Sequence, residues 1–159
     1  MSPARGWWLW LLLSAAVVTA DQATKVAVRA LLRPGDEVVV TGFFSVVLTF
    51  NSGAAFSFLR DAAGWQRYLF SAVAFGAAVF IVWLLRRGGD RWYCLGLALI
   101  LGGAFGNLLD RLALGQVTDF LLFHWQRWYY PAFNVADSAI TVGAALLLFD
   151  AFAQRRARE

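Results

Sequence analysis

Along most of this chain apolar residues do not alternate with polar ones; they run together. Trp7 to Ala20 is one such run, and its helical character continues through Leu32. Tyr68 to Leu85 is nearly all apolar. Trp92 to Leu109 is apolar and punctuated by Gly96, Gly102, Gly103 and Gly106, and a fourth run follows Pro131 to about Phe152. A helix needs about 20 predominantly apolar residues to cross a bilayer, so these runs predict four spans, at about 7–31, 68–85, 92–109 and 132–152. Between the first and second runs the texture changes. Val38-Val39-Val40-Thr41 and Phe43 through Phe50 are mostly β-branched or aromatic, with Gly42 interrupting them, and that composition favours strand over helix. The pattern therefore predicts a membrane α-helical fold, four transmembrane helices with a small extracytoplasmic β-rich cradle at about 36–60. Residues 1–159 form a single domain. Residues 112–130 form a second external segment.

The boundaries carry their own signals. Arg33-Pro34-Gly35-Asp36 marks a turn, and Arg86-Arg87-Gly88-Gly89-Asp90-Arg91 is a short basic turn. Pro131 is placed to open the last helix, where its missing N–H is harmless. The first run competes with a cleavable signal peptide, having Arg5 at its start and Val18-Thr19-Ala20 as a small-residue cleavage site. Helical character past Ala20, with Asp21 and Lys25 at the favourable acid-first i,i+4 spacing, predicts a retained first span instead. Four spans put both termini on one side. The basic Arg5, Arg86–Arg91 and Arg155–Arg158 segments then lie together, and the positive-inside rule makes that side cytoplasmic.

Composition agrees with a lipid setting. The 60% hydrophobic and 16% aromatic content exceeds ordinary soluble usage, so apolar surface must face lipid as well as a core. The net charge of +4 does not signal nucleic acid, because most Lys and Arg flank the apolar runs. The eight Trp residues suit membrane interfaces, as does the cluster of Trp125, Trp128, Tyr129 and Tyr130. The lone Cys94 cannot form an internal disulfide and reads as a small apolar helix residue. No Cys/His cluster points to a metal, and no cofactor is predicted. His124 lacks an accompanying Ser or Cys motif and reads as interfacial or hydrogen-bonded.

Ionisable groups at the ends of spans are costly and usually functional. Phe133-Asn134-Val135-Ala136-Asp137-Ser138 puts an amide and a carboxylate at the mouth of the last run, and Val117-Thr118-Asp119-Phe120 offers a partner. Two carboxylates can hydrolyse an amide without a metal: one, ionised, takes a proton from water while the other, protonated, polarises the carbonyl. Their repulsion splits the titration so that one keeps its proton. Asn107, Asp110 and Arg111 can share a helical face; Asn107, Asn134 and Arg111 are candidates to orient the pair or bind a peptide backbone. Asp110 competes with Asp119 as the partner of Asp137, and spacing does not choose between them. Asp21 and Lys25 are either an exposed ion pair worth about a few tenths of a kcal/mol or a device ordering the end of the first helix beside the site. Asn51-Ser52-Gly53-Ala54-Ala55-Phe56-Ser57-Phe58 is either a tight strand connection or a substrate-facing lip.

Taken together and in this order between four spans, these motifs resemble those of lipoprotein signal peptidase, the bacterial signal peptidase II family of membrane aspartic proteases. The motifs carrying the resemblance are Asp21 with Lys25, Asn51 to Ser57, Gly106-Asn107-Leu108-Leu109-Asp110-Arg111, Val117 to Phe120, and Phe133 to Ser138. The resemblance implies Asp119 and Asp137 as the catalytic pair. It gives Asp21, Lys25, Asn51, Gly53, Asn107, Asp110, Arg111, Asn134 and Ala136 supporting or binding roles. The implied substrate is a prolipoprotein bearing diacylglyceryl on its cysteine, cut just before that cysteine. Membrane lipid and a globomycin-type inhibitor are the other implied partners, and the implied location is the bacterial inner membrane with the site near its outer face. Two rivals need no peptidase: a small proton-coupled transporter, which would place its carboxylates near the bilayer midplane, and a non-catalytic scaffold.

Overall fold

The structure, a computed structural model, describes residues 6–52 and 65–156. Four helices dominate: α1 (Trp8–Leu31), α2 (Trp65–Arg87), α3 (Arg91–Leu114) and α4 (Val135–Arg156). All are long and apolar enough to cross a membrane. The shortest, α4, has 22 residues, about 33 Å at 1.5 Å per residue. Leu12, Val73, Phe80, Leu148 and Phe152 are exposed, the arrangement expected where lipid rather than water covers the bundle.

Helix α3 is the centre and packs against the other three. Its glycines permit this. A Cβ at Gly96 would lie 2.8 Å from the Gly143 carbonyl oxygen of α4, and one at Gly102 would lie 2.8 Å from the Ser14 carbonyl oxygen of α1. Small residues at such crossings let helix backbones approach closely in lipid. Ser14 adds a hydrogen bond of 2.9 Å to the Ala98 carbonyl.

Three helices differ at their ends from the sequence expectation. Helix α3 does not stop at 109. It runs to Leu114 and closes at Gly115, whose left-handed φ of 76° is the usual helix C-terminal conformation. Asp110 and Arg111 lie inside α3, where buried partners described below satisfy Asp110. Helix α4 starts at Val135 rather than at Pro131. Phe133 is still extended and bridges Leu121, with N–H···O distances of 2.8 and 3.0 Å, so the chain reaches the sheet before it turns into the helix. Helix α2 is also longer at both ends than the expected 68–85.

The sheet has four antiparallel strands in the order β1 (Glu37–Thr41), β2 (Phe44–Asn51), β3 (Val117–Trp125) and β4 (Trp128–Tyr129). The expected strands near 36–50 are present, but half of the sheet comes from the second external segment. The β2–β3 register shifts between Val46 and Thr49, after which Thr49 faces Asp119 and Asn51 faces Val117. Asn51 lies two residues beyond Thr49, so its side chain shares a face with that of Asp119. His124 sits on β3 with Nε2 at 3.1 Å from Ser45 Oγ, the hydrogen-bonded role expected for it. Gly53 and the rest of the small-residue lip through Phe58 lie outside the described residues.

Candidate active site

The site is assembled by amide side chains. Asn134 is the N-cap of α4: its Oδ1 accepts the Asp137 N–H at 2.9 Å, satisfying one of the helix's open donors. Its Nδ2 donates to Asp119 Oδ1 at 2.7 Å. One side chain therefore ties Asp119 on β3 to the backbone of Asp137 on α4. Asn107 of α3 donates from Nδ2 to Asp137 Oδ1 at 2.7 Å. Asn51 of β2 donates to Asp119 Oδ2 at 3.1 Å. Each carboxylate is held by an amide from another element.

A fully buried ionic layer lies beneath. Lys25 and Asp21 are both 0% exposed and 2.8 Å apart, so the pair is interior and not the exposed pair that spacing alone allowed. Burying charge is expensive unless every donor finds a partner. The Lys25 ammonium has three N–H donors and three acceptors: Asp21 Oδ2, Asp110 Oδ2 at 3.4 Å and Asn107 Oδ1 at 3.0 Å. The other Asp21 oxygen accepts the Ala136 N–H at 2.9 Å, in the first turn of α4, where negative charge is favoured. Asp110 Oδ2 accepts the Thr118 N–H at 2.8 Å. Packing here is close: Ala136 is fully buried, and a Cβ at Gly106 would sit 2.6 Å from Asp21 Oδ2.

The two candidate carboxylates have different surroundings. Asp119 is 2% exposed. Its pKa is pushed up from the usual carboxylate value to about 6, first by burial and then by the neighbouring Asp137, against the Asn51 and Asn134 hydrogen bonds and the Lys25 charge. Asp137 is half-buried and lines an open cavity of about 280 Å³ with Tyr130, Phe133, Ser138, Thr141 and Val142. Arg111 flanks the site. Its Nη1 lies 3.4 Å from the Asn107 carbonyl oxygen and its guanidinium 5.5 Å from the Phe70 ring centroid. Its buried Nε has no hydrogen-bond partner among the described residues.

Of the residues singled out in the sequence, Asp21, Lys25, Asn51, Asn107, Asp110, Arg111, Asn134, Ala136, Asp119 and Asp137 meet at this end of the bundle; Gly53 is outside the described residues. The two candidate partners of Asp137 have different surroundings. Asp110 is enclosed by Lys25, Gln22 and the Thr118 N–H, whereas Asp119 shares Asn134 with Asp137. Three participants escaped sequence reasoning. Gln22 Nε2 lies 3.1 Å from Asp21 Oδ2, 3.0 Å from the Gly106 carbonyl oxygen and 3.2 Å from Asp110 Oδ1. Arg29 and Thr118 hydrogen-bond to each other at 2.7 Å. A signal for Arg29 existed: it lies four residues beyond Lys25 and eight beyond Asp21, on the same helical face.

These carboxylates stand at one end of a bundle whose helices are long and apolar enough to cross a membrane, the architecture of an integral membrane protein. Comparison with known proteins makes the class specific. Residues 13–153 match the family described as signal peptidase (SPase) II. The chain is 52% identical over 156 residues to the lipoprotein signal peptidase of Pseudomonas fluorescens, covering 96% of this chain and 91% of that one. It is 54% identical over 142 residues to that of Paraburkholderia phytofirmans, covering 89% and 83%. Among solved structures, one bacterial membrane enzyme superposes with a TM-score of 0.86 at 24% identity, covering 100% of this chain and 96% of the other. A second gives 0.82 at 25% identity, covering 94% and 96%. The chain belongs to the signal peptidase II family, and it is a multi-pass bacterial membrane peptidase.

Proposed function

We propose that the peptidase activity of this chain is aspartic and is carried by Asp119 and Asp137. The activity itself is the family's, removal of signal peptides from lipoproteins. The observation that carries the aspartic reading is the double grip of Asn134, which holds the Asp119 carboxylate and the Asp137 backbone at once. Asp119, buried and slow to ionise, holds the proton and polarises the scissile carbonyl. Asp137, beside the cavity, takes a proton from the attacking water, and the shared proton then passes to the leaving amine. The apparent pKa values belong to the pair. Arg111 and the supporting amides orient the pair and the substrate backbone, and Gly53, outside the described residues, takes the supporting role that the resemblance implies.

The substrate on this reading is a diacylglyceryl-modified prolipoprotein, cut before the modified cysteine, with its lipid tails in the bilayer. A globomycin-type inhibitor is a further partner expected on this reading. Confinement of enzyme and substrate to one membrane supplies part of the positioning that chemistry requires. Arg86, Arg87 and Arg91 cluster at the α2–α3 turn, at the opposite end of the bundle from the carboxylates. That supports cytoplasmic termini in the inner membrane and a site at its outer face, all within one domain. The carboxylates lie where helices meet the sheet, and Asp137 is only the third residue of α4, which favours a peptidase over a midplane proton relay.

The test is cleavage of a diacylglyceryl-modified prolipoprotein by purified protein in lipid, comparing the parent with Asp119→Asn and Asp137→Asn after each is shown to fold. Loss of cleavage in both supports the pair. Near-parent activity in Asp119→Asn together with loss in Asp110→Asn moves the partner role to Asp110.

A further inference from the structure

Thr118 stands immediately before Asp119 and is completely buried. Its three polar groups go to three different helices. The N–H donates to Asp110 Oδ2 of α3 at 2.8 Å. The carbonyl accepts from Nδ2 of Asn134, at the head of α4, at 3.2 Å. The hydroxyl accepts from Arg29 Nη1 of α1 at 2.7 Å. That same Arg29 nitrogen lies 3.7 Å from Asp110 Oδ1, with the Arg29 side chain 24% exposed. The first two bonds need only a backbone at position 118. The third needs a hydroxyl there and a guanidinium on α1.

We infer that Arg29 and Thr118 act as a pair of positioning residues for the peptidase reaction, fixing the start of β3 so that Asp119 is presented in register to Asn51, Asn134 and Asp137. The inference rests on the reading of Asp119 as catalytic. Its physical basis is leverage over one peptide unit. A charge-assisted hydrogen bond is roughly twice as strong as a neutral one, and this one is the only side-chain bond from α1 to β3 among those described. Without it the strand is still tied to α3 and α4 but is free to shift relative to α1, where Lys25 and Asp21 lie. A displacement of about 1 Å costs up to about 100-fold in rate. Asp119 faces Asp137 of α4, Lys25 of α1 and Arg111 of α3, none of which changes when residues 29 or 118 are substituted.

The experiment measures kcat, KM and the pH profile of prolipoprotein cleavage by the full chain in lipid for Thr118→Val, Thr118→Ser, Arg29→Met, the Arg29→Met/Thr118→Val double variant and Asp119→Asn. The expected result is a loss of about tenfold in kcat for Thr118→Val and for Arg29→Met, with KM within about twofold. The double variant should be no worse than the poorer single, because the two residues make one interaction. Thr118→Ser, which keeps the hydroxyl, should stay near parent. In Thr118→Val, which changes no charge, the high-pH midpoint should move upward, because looser Asn51 and Asn134 bonds favour ionised Asp119 less; a purely structural role would lower folded yield without moving it. Arg29→Met also removes a cation and is read on kcat and on the double variant. Arg29→Met, at a partly exposed site, keeps the test decisive should Thr118→Val fail to fold. Parent kcat in both singles, a parent midpoint in Thr118→Val, a Thr118→Ser variant as poor as Thr118→Val, or losses that multiply in the double variant would each overturn the inference. Parent turnover in Asp119→Asn would overturn it by a separate route, by removing the residue it serves.

Discussion

The two halves of α3 lie in one helix and use opposite chemistry. The first half places Cys94, Leu97 and Leu101 against Ala78, Ile81 and Leu85 of α2, with Leu11 and Leu147 packed alongside. The second half places Gly106, Asn107 and Asp110 against Asp21, Gln22, Lys25 and the start of α4. The first is an apolar interior whose parts are stable wherever they are covered. The second is a buried polar interior, stable only while every donor has an acceptor. A membrane protein has little to gain in stability from burying ions, since an apolar replacement of a buried pair is often neutral or better. On the reading proposed above, the polar half serves the geometry of Asp119 and Asp137, while the apolar half holds the helices together.

That contrast can be broken experimentally. The largest effect should come from Asp119→Asn and Asp137→Asn: turnover falls by about 10²–10⁴-fold, the range for a positioned acid or base, while the denaturation midpoint in detergent barely moves. If either variant unfolds instead, the polar half is structural first. Lys25→Met should come next, leaving Asp21 buried without its cation and Asp110 with only Arg29 as a cation, at 3.7 Å, and destabilising the fold by about 3–5 kcal/mol. Leu97→Ala in the apolar half should cost about 2–5 kcal/mol through cavity formation, yet leave turnover per folded molecule at the parent value. A large turnover defect there would erase the division between halves.

The pH response should be gentler. The folded pKa of Asp119 is raised to about 6, so the proton it carries below that value is lost above it. Turnover should fall up to about tenfold per pH unit beyond the midpoint. The sign for stability is the same. Between the unfolded carboxylate value and about 6, the folded state binds more protons, so stability falls as pH rises through that window and levels off above it. Asn51→Ala removes a bond that favours the ionised form, and it should shift the midpoint upward by a fraction of a unit in the same pH–rate measurement.

Much of this was legible in the sequence because lipid imposes a length. The four spans follow from runs of apolar residues, and the polar residues interrupting their ends are those that converge. What could not be read is what depends on distant partners. Asp110 and Arg111 look like a solvent-facing helix end, so the run was expected to stop at 109; in the fold, Lys25 and the Thr118 backbone enclose Asp110, and α3 continues for another turn. Lys25 reaches Asn107 across 82 positions, so i,i+4 spacing alone does not choose between a surface pair with Asp21 and a buried one beside the site. Strand β3 was missed because its first four residues, Val117 to Phe120, are all buried. Thr and Asp inside remove the alternation that marks a half-exposed strand. Pro131 suggested a helix start, but Asn134 supplies the cap three residues later.

Translation order gives the Asp21–Lys25 pair a further use. Asp21 is made 115 residues before the Ala136 N–H that it caps, an interval of about 6–20 seconds at ordinary synthesis rates. During that time a carboxylate near the end of a nascent helix would sit in or beside lipid with its final partner not yet synthesised. Lys25 lies one turn away on the same helix, so the charge is neutralised as soon as that turn forms. The first helix can then partition into the membrane as a nearly neutral rod and wait for the last.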